Sequence, residues 1–258
     1  MVLIRRGVFL MGSSGDEALH AYFLCHTEPW AHRCDPSMFA NEGPPRSITL
    51  SDFWLDRTEV TNESYQRCVD AAVCNAPPDG AGAASFRKPQ YPVTLVTWND
   101  AQTYCRFRDA RLPTEAEFEF AARGRGTRIY PWGNLYNSKV SNHGRFGWDS
   151  SDDSDGYSTL AAVGSFPWGA TPQGILDLAG NAAEWVNDHY QAPYDTRDTV
   201  NPLGPADPRL PRVVRGGSFE SGAAWLRAAA REPIAENTRF PTVGFRCARS
   251  RIEQPATH

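Results

Sequence analysis

Apolar positions in this chain fall into short, frequently interrupted runs. Arg6-Gly-Val-Phe-Leu-Met-Gly12 reads as a strand closed by a glycine turn, and Arg46 to Asp56 alternates enough to be a second strand leading into a third, shorter one. From Thr61 the period changes. Tyr65, Cys68, Val69 and Ala72 fall at i, i+3, i+4 and i+7, the stripe of an amphipathic helix that Thr61 caps. Trp98 to Phe107 predicts a second helix, with Ala101, Tyr104 and Cys105 on one face. A third opens on the capping box formed by Thr114 and Glu117, behind Pro113, and stops at Gly124. Its acids Glu115, Glu117 and Glu119 read as caps and surface ion pairs, because successive odd positions on a helix point different ways. Residues 13–45 are expected to form a long, polar, inserted loop, Asn75 to Gln90 a second loop, and Tyr91 to Thr97 a short extended segment. Beyond Tyr130 the pattern dissolves into loops and short strands, of which Arg212 to Phe219 and Val243 to Arg249 are the last.

Composition fits this picture. With 258 residues, 41% of them hydrophobic and 12% aromatic, the chain can bury a substantial core as one compact domain over 1–258, with 250–258 as a flexible tail. The 21 glycines and 20 prolines call for many turns and few long elements, so the expected class is α+β with much irregular structure. A net charge of -4 without any basic run argues against nucleic acid and anionic membrane partners. Only Lys88 and Lys139 are lysines, which leaves little scope for Schiff-base chemistry. No apolar run approaches the ~20 residues of a membrane span, and Met1 to Arg6 is too short for a signal peptide.

Six cysteines can pair completely as Cys25 with Cys34, Cys68 with Cys74, and Cys105 with Cys247. The last pair would close a loop of over a hundred residues, worth on the order of 4–5 kcal/mol in the chain-entropy description. Three such bonds would place maturation outside the cytosol, in the periplasm, on the cell surface or in the medium. Cys25 and Cys34 lie among His20, His26 and His32, so a disulfide, a zinc or copper site and unligated surface residues all remain open for that segment. Another stretch carries candidate metal chemistry. Gly174 to Trp185 places Asp177 and Glu184 around the Gly180-Asn181 turn, and two carboxylates with turn carbonyls suit a hard ion such as calcium, although a capped turn with solvated acids would look the same. The acidic run Asp149 to Gly156 lacks EF-hand spacing and a closing glutamate, so most of its acids read as solvated.

Taken in order, Gly7-Val-Phe-Leu-Met-Gly12, Thr58-Glu-Val-Thr61, Arg111-Leu-Pro-Thr-Glu-Ala-Glu-Phe118, Tyr130-Pro-Trp-Gly-Asn134, Gly180-Asn-Ala-Ala-Glu-Trp185, Arg215-Gly-Gly-Ser218 and Gly244-Phe-Arg246 resemble the sulfatase-modifying-factor, or formylglycine-generating-enzyme, family. The resemblance implies one domain related to the C-type lectin fold and stabilised by calcium. It implies one calcium site at Asp177, Gly180, Ala182 and Glu184, and another at the side chains of Asn142 and Asp155 with the carbonyls of His143 and Tyr157. It also supports the pairing of Cys105 with Cys247.

The chain departs from the family's oxidase at the copper centre. That enzyme holds copper(I) through two cysteines just after the Gly-Gly-Ser motif. Here Phe219 to Arg227 contains none, and Ala183 stands where a tryptophan is usual; Ser218 alone matches among the pocket residues. Copper is therefore not expected. The family also includes periplasmic and cell-surface proteins that keep the fold without the copper cysteines, and the chain resembles that branch most. The leading expectation is an exported, calcium-stabilised, disulfide-stapled binding or accessory maturation protein for a protein, peptide or glycan, without formylglycine-generating activity. The alternative is an oxidoreductase using another metal on a peptide or small molecule. Trp225, Arg227 and Arg231 are the candidate ligand contacts, in a groove running from Ser218 to Arg227; core packing and structural ion pairs would use the same residues.

Overall fold

A computed structural model describes all residues except 30, 79–82, 146–151, 196 and 252–258. Its strands are β1 (Val2–Ile4), β2 (Gly7–Met11), β3 (Arg46–Leu50), β4 (Phe53–Leu55), β5 (Ala183–His189), β6 (Arg212–Arg215), β7 (Arg231–Ile234), β8 (Val243–Phe245) and β9 (Ala248–Ser250). Its helices are α1 (Gly15–His26), α2 (Asn62–Asp70), α3 (Ala83–Phe86), α4 (Trp98–Phe107) and α5 (Glu115–Arg123). β1, β4 and β9 form one sheet and β2 pairs with β3. The third sheet runs β7-β6-β5-β8, antiparallel except where β5 meets β8.

The predicted caps Thr61 and Thr114 set the boundaries of α2 and α5, and Thr97, expected to end an extended segment, turns out to cap α4. Thr61, Thr97 and Thr114 accept hydrogen bonds from the third backbone N–H of α2, α4 and α5. Corrections fall where sequence pattern was weak. Residues 13–45 are not one loop: Ser14 and Glu17 make a reciprocal capping box that starts α1, and Pro36–Glu42 adds a 3₁₀ turn. α1 hides from an apolar search because only Ala21 and Cys25 are fully buried along it. The expected strand from Val243 to Arg249 is broken, because Arg246 and Cys247 turn inward to Glu184 and Cys105. Of the tail expected over 250–258, Ser250 belongs to β9 and 252–258 lie outside the described residues.

β5 divides two cores. Ala183 and Trp185 face a cluster with Val60, Tyr65, Tyr104 and Phe245, whereas Val186 joins Phe9, Ile48, Phe53, Phe118 and Phe120. With both faces covered, the strand is buried almost throughout. All three cysteine pairs are bonded as expected, with Cα separations of 6.0 Å (Cys25–Cys34), 5.3 Å (Cys68–Cys74) and 5.6 Å (Cys105–Cys247).

The acids of α5 are not surface groups. Glu115 and Glu119 lie four residues apart, hence on one face, and both are buried. Glu119 accepts from Arg215 Nη2 at 2.5 Å and from the Gly12 N–H at 2.8 Å. Arg215 also donates to the carbonyls of Ala228, Ala229 and Ala230. Glu115 takes a two-pronged contact from Arg231, at 2.7 and 2.8 Å. Burial alone would raise the Glu115 carboxyl, but Arg231 and Arg215 beside it bring it below the usual range. Glu117 points elsewhere and clasps Arg111.

Two measurements test this arrangement. Arg231→Met leaves Glu115 buried without its main partner and should cost about 3–5 kcal/mol in urea unfolding; a loss below about 1 kcal/mol would show that the pair is dispensable. Asp188, buried beside Glu115, caps the Glu115 N–H at 2.9 Å. Burial and the Glu115 charge push its carboxyl up to about 8. An unfolded aspartate titrates near ~3.9, so the stability tied to this proton is complete below about pH 4 and is lost as pH rises through about 8, by up to about 1.4 kcal/mol per pH unit. Asp188→Asn should therefore become more stable than wild type by pH 8; stability curves that stay parallel from pH 4 to 8 would rule this out.

Candidate functional site

The turn before β5 is built on three residues in the left-handed region, Asp177 (φ 56°), Gly180 (φ 90°) and Asn181 (φ 62°). A Cβ on Gly180 would sit 2.1 Å from the carbonyl oxygen of Asn142, so only glycine permits this approach. Asn142 is thereby pressed against the turn, and its carbonyl accepts the Asn181 N–H at 2.9 Å. The two sets of expected calcium ligands thus become neighbours. Asn181 joins them: its Oδ1 accepts from Asn142 Nδ2 and the Ala161 N–H, and its Nδ2 donates to Glu59 Oε1 at 2.9 Å.

Around Asp177 and Glu184 the structure brings in Glu59 and Arg246, to which sequence reasoning gave no role. Arg246 Nε and Nη2 reach both oxygens of Glu184 at 2.7 to 3.0 Å, and Nη2 also meets the carbonyls of Leu176 and Asp177. Asp177 Oδ2 accepts the Gly164 N–H at 2.7 Å. Glu59 Oε2 is buried and receives no N–H or hydroxyl donor. Three buried carboxylates therefore face one guanidinium. Burial, then Asp177 and Glu184, holds the Glu59 carboxyl well above its usual value, and burial also raises Asp177 and Glu184. With the Glu59 carboxyl held up and hydrogen-bonded to Asp177, a proton shared by that pair offsets part of the charge, and a cation bound among these oxygens would take the proton's place. The motif Thr58-Glu-Val-Thr61 was the available pointer to Glu59.

At the other set, Asp155 accepts the N–H groups of His143 and Tyr157, each at 2.8 Å. Asn142 Oδ1 is buried and has no donor, again the condition a hard cation relieves. Among the described residues, no three His, Cys, Asp or Glu side chains are arranged to hold a metal ion. Any ion at either set would depend on Asn142 or main-chain oxygens. In the cysteine and histidine segment Cys25 and Cys34 are spent on each other, so neither is a thiolate ligand.

The groove expected from Ser218 to Arg227 is closed. Gly216 (φ 90°) and Gly217 (φ 65°) turn the chain inward after β6. Ser218 is fully buried and its hydroxyl accepts the Glu220 N–H, a local turn contact. Trp225 packs on Phe39, 5.6 Å between ring centres. Arg227 is buried against both oxygens of Glu42, and Arg231 is held by Glu115 beneath Tyr190 and Tyr194. The expectation that Trp225, Arg227 and Arg231 face a ligand is thus corrected: these side chains are core. α1 and the following 3₁₀ turn supply the cover, with Glu28 accepting the Ala223 N–H. The open space lies next door, in a 400 Å³ cleft lined by Glu220, Glu232 to Ala235, Thr238 and Phe240 to Thr242.

The sulfatase-modifying factor enzyme 1-like domain family matches residues 1–251. Formylglycine-generating enzyme of Bos taurus is 28% identical, over 96% of this chain and 74% of that protein. The enzyme of that name from Thermomonospora curvata is 33% identical over 83% of the chain and 88% of its own length. Inactive C-alpha-formylglycine-generating enzyme 2 of Bos taurus is 37% identical over 80% of each. Among solved structures, PvdO from Pseudomonas aeruginosa shares the fold at a TM-score of 0.76, with 23% identity over 96% of this chain and 93% of PvdO. Treponema denticola variable protein 1 follows at 0.69, with 21% identity over 96% and 94%. Sequence and fold agree, and the chain belongs to the sulfatase-modifying factor, or formylglycine-generating enzyme, family.

Proposed function

We propose that this chain is a non-oxidase member of its family, an exported binding or accessory maturation domain on a scaffold related to the C-type lectin fold. One observation carries the reading: all six cysteines are joined in disulfides, so none supplies the thiolate that copper(I) chemistry requires. The segment after Ser218, where the oxidase keeps its cysteine pair, is instead a packed turn beneath α1. Similarity to proteins named inactive supports the same conclusion. Three disulfides fit maturation in the periplasm, on the cell surface or in the medium. No described helix is long and apolar enough to cross a membrane. The binding surface we assign is the cleft lined by Glu220 and residues 232–235 and 240–242, which takes a protein, peptide or glycan.

Calcium completes the reading as a structural ion. Asn142, Asp155 and the carbonyls of His143 and Tyr157 would hold one ion, and Asp177 and Glu184 with the carbonyls of Gly180 and Ala182 another, where it would balance the charge left over by Arg246. Bound there, it would supply charge neutralisation to buried oxygens and no chemistry.

Two experiments test these statements. The purified chain should leave a cysteine-containing sulfatase peptide unconverted and contain no stoichiometric copper or iron; conversion, or oxygen uptake with bound copper or iron, would establish the rival oxidoreductase reading. Chelation should lower the melting temperature, the gain from a saturating ion being about 2.7 kcal/mol at a hundred times its Kd. Asp155→Ala and Asp177→Ala should each reduce that calcium-dependent gain. Melting curves identical with and without chelator would exclude the structural ion.

A further inference from the structure

We infer that the surface where β1 meets β2, together with the turn after α5, binds the sulfate groups of an anionic polysaccharide. Arg5 and Arg6 lie between the two strands, and Arg125 and Arg128 lie in the turn. Arg125 Nη2 donates to the Arg6 carbonyl at 2.6 Å, which joins the two segments. Gly7 leaves room for this contact, since a Cβ there would sit 2.8 Å from Arg125 Nε. Arg251, after β9, enters through Asp52, whose carboxylate accepts from Arg5 Nη1 at 3.2 Å, Arg251 Nη1 at 2.7 Å and the Arg6 N–H at 2.6 Å. None of these residues lines the cleft near Ser218, so the patch stands independently of the binding surface assigned above.

Charge on this face is not balanced. Among the described residues, Asp52 is the only carboxylate that pairs with any of the five arginines, and Arg6, Arg125 and Arg128 have none within 4.0 Å. Asp52 counts for one charge, because the Arg6 N–H, then Arg251 and Arg5, hold its carboxyl below the usual carboxylate range. A chain of net charge -4 thus carries a strongly basic face. No basic run marks it in the sequence, because the arginines come from residues 5–6, 125–128 and 251.

Two of the unpaired arginines are already held in place. Arg125 is tethered to the Arg6 carbonyl, and Arg128 Nη2 to the Ala122 carbonyl near the end of α5 at 3.2 Å. Among the described residues their other side-chain N–H groups have no acceptor, and Arg128 Nε is buried in that state. The backbone N–H groups of residues 125–128 make no hydrogen bond there either. Donors fixed beforehand lose little freedom when a ligand arrives.

Guanidiniums from separate segments approach from different directions, which suits the tetrahedral oxygens of a sulfate ester better than the coplanar pair of a carboxylate. Several charges on one face call for a ligand bearing several such groups. Nucleic acid fits less well. Phe120, under Gly7, is buried against Phe9 at 5.1 Å between ring centres, so these rings offer bases no platform. A lipid surface also fits less well, since strand ends and a turn present no amphipathic helix to insert.

Fluorescein-labelled dextran sulfate would be titrated into the full chain by fluorescence anisotropy at low salt. It should bind, labelled unsulfated dextran should not, and Arg6→Gln and Arg125→Gln should each weaken binding at least threefold. Both positions are exposed, and melting curves matching wild type would confirm that the variants fold. Arg197→Gln and Arg209→Gln, at exposed arginines paired with Asp195 and Asp207, should leave binding unchanged. An equal loss in those two variants would show general charge attraction and overturn the site. Failure of dextran sulfate to bind, or displacement at equal anionic-group concentration by poly-glutamate, a single-stranded oligonucleotide or phosphatidylserine vesicles as readily as by unlabelled dextran sulfate, would overturn the sulfated polysaccharide.

Discussion

The buried contact between Arg215 and Glu119 is the constraint from which much of the molecule follows. Both side chains are fully shielded from solvent, so neither charge can be left without the other. Glu119 fixes α5 against Gly12 at the end of β2, while the other donors of Arg215 hold the carbonyls of residues 228–230. One ion pair thus ties the β2-β3 hairpin, α5 and the turn entering β7. Around it the same solution recurs: Arg231 with Glu115, Arg227 with Glu42, and Arg123 with Glu17. A chain poor in regular structure has many main-chain carbonyls that no sheet or helix satisfies, and arginine, with five donors, satisfies several at once.

That solution was the least legible part of the sequence. The starts of α2 and α5 could be read to within a residue because a threonine cap is a local signal, and that of α4 from the helical pattern beginning at Trp98. The cysteine pairs could be proposed because their number was even. An arginine in a sequence, however, carries no mark of whether its partner lies in solvent or behind a hundred residues of chain. Arg227 and Arg231 looked like contacts for a ligand and are contacts for Glu42 and Glu115. α1 was missed for a related reason: its capping box was present in Ser14 and Glu17, but a helix that buries two small residues leaves little periodicity to detect.

The candidate site was legible in its parts and not in its assembly. The motif Gly180 to Trp185 pointed to the turn, and the resemblance supplied Asn142 and Asp155. Neither could place Glu59 and Arg246 among the carboxylates, since both arrive from more than sixty positions away in sequence. The closure of the segment after Ser218 was equally invisible, because the cover comes from residues 13–45, the stretch read as a loop.

Asn181 carries a last consequence. Its side chain is used as a dipole with fixed direction, receiving at the oxygen from Asn142 and Ala161 and giving at the nitrogen to Glu59. Aspartate has nearly the same shape but would turn the giving end into a second acceptor, setting one carboxyl oxygen against another at a buried position. Leucine would leave three partners unanswered. The position therefore tolerates neither the isosteric acid nor the apolar analogue, and spontaneous loss of this one amide nitrogen with age would be enough to undo the turn from within.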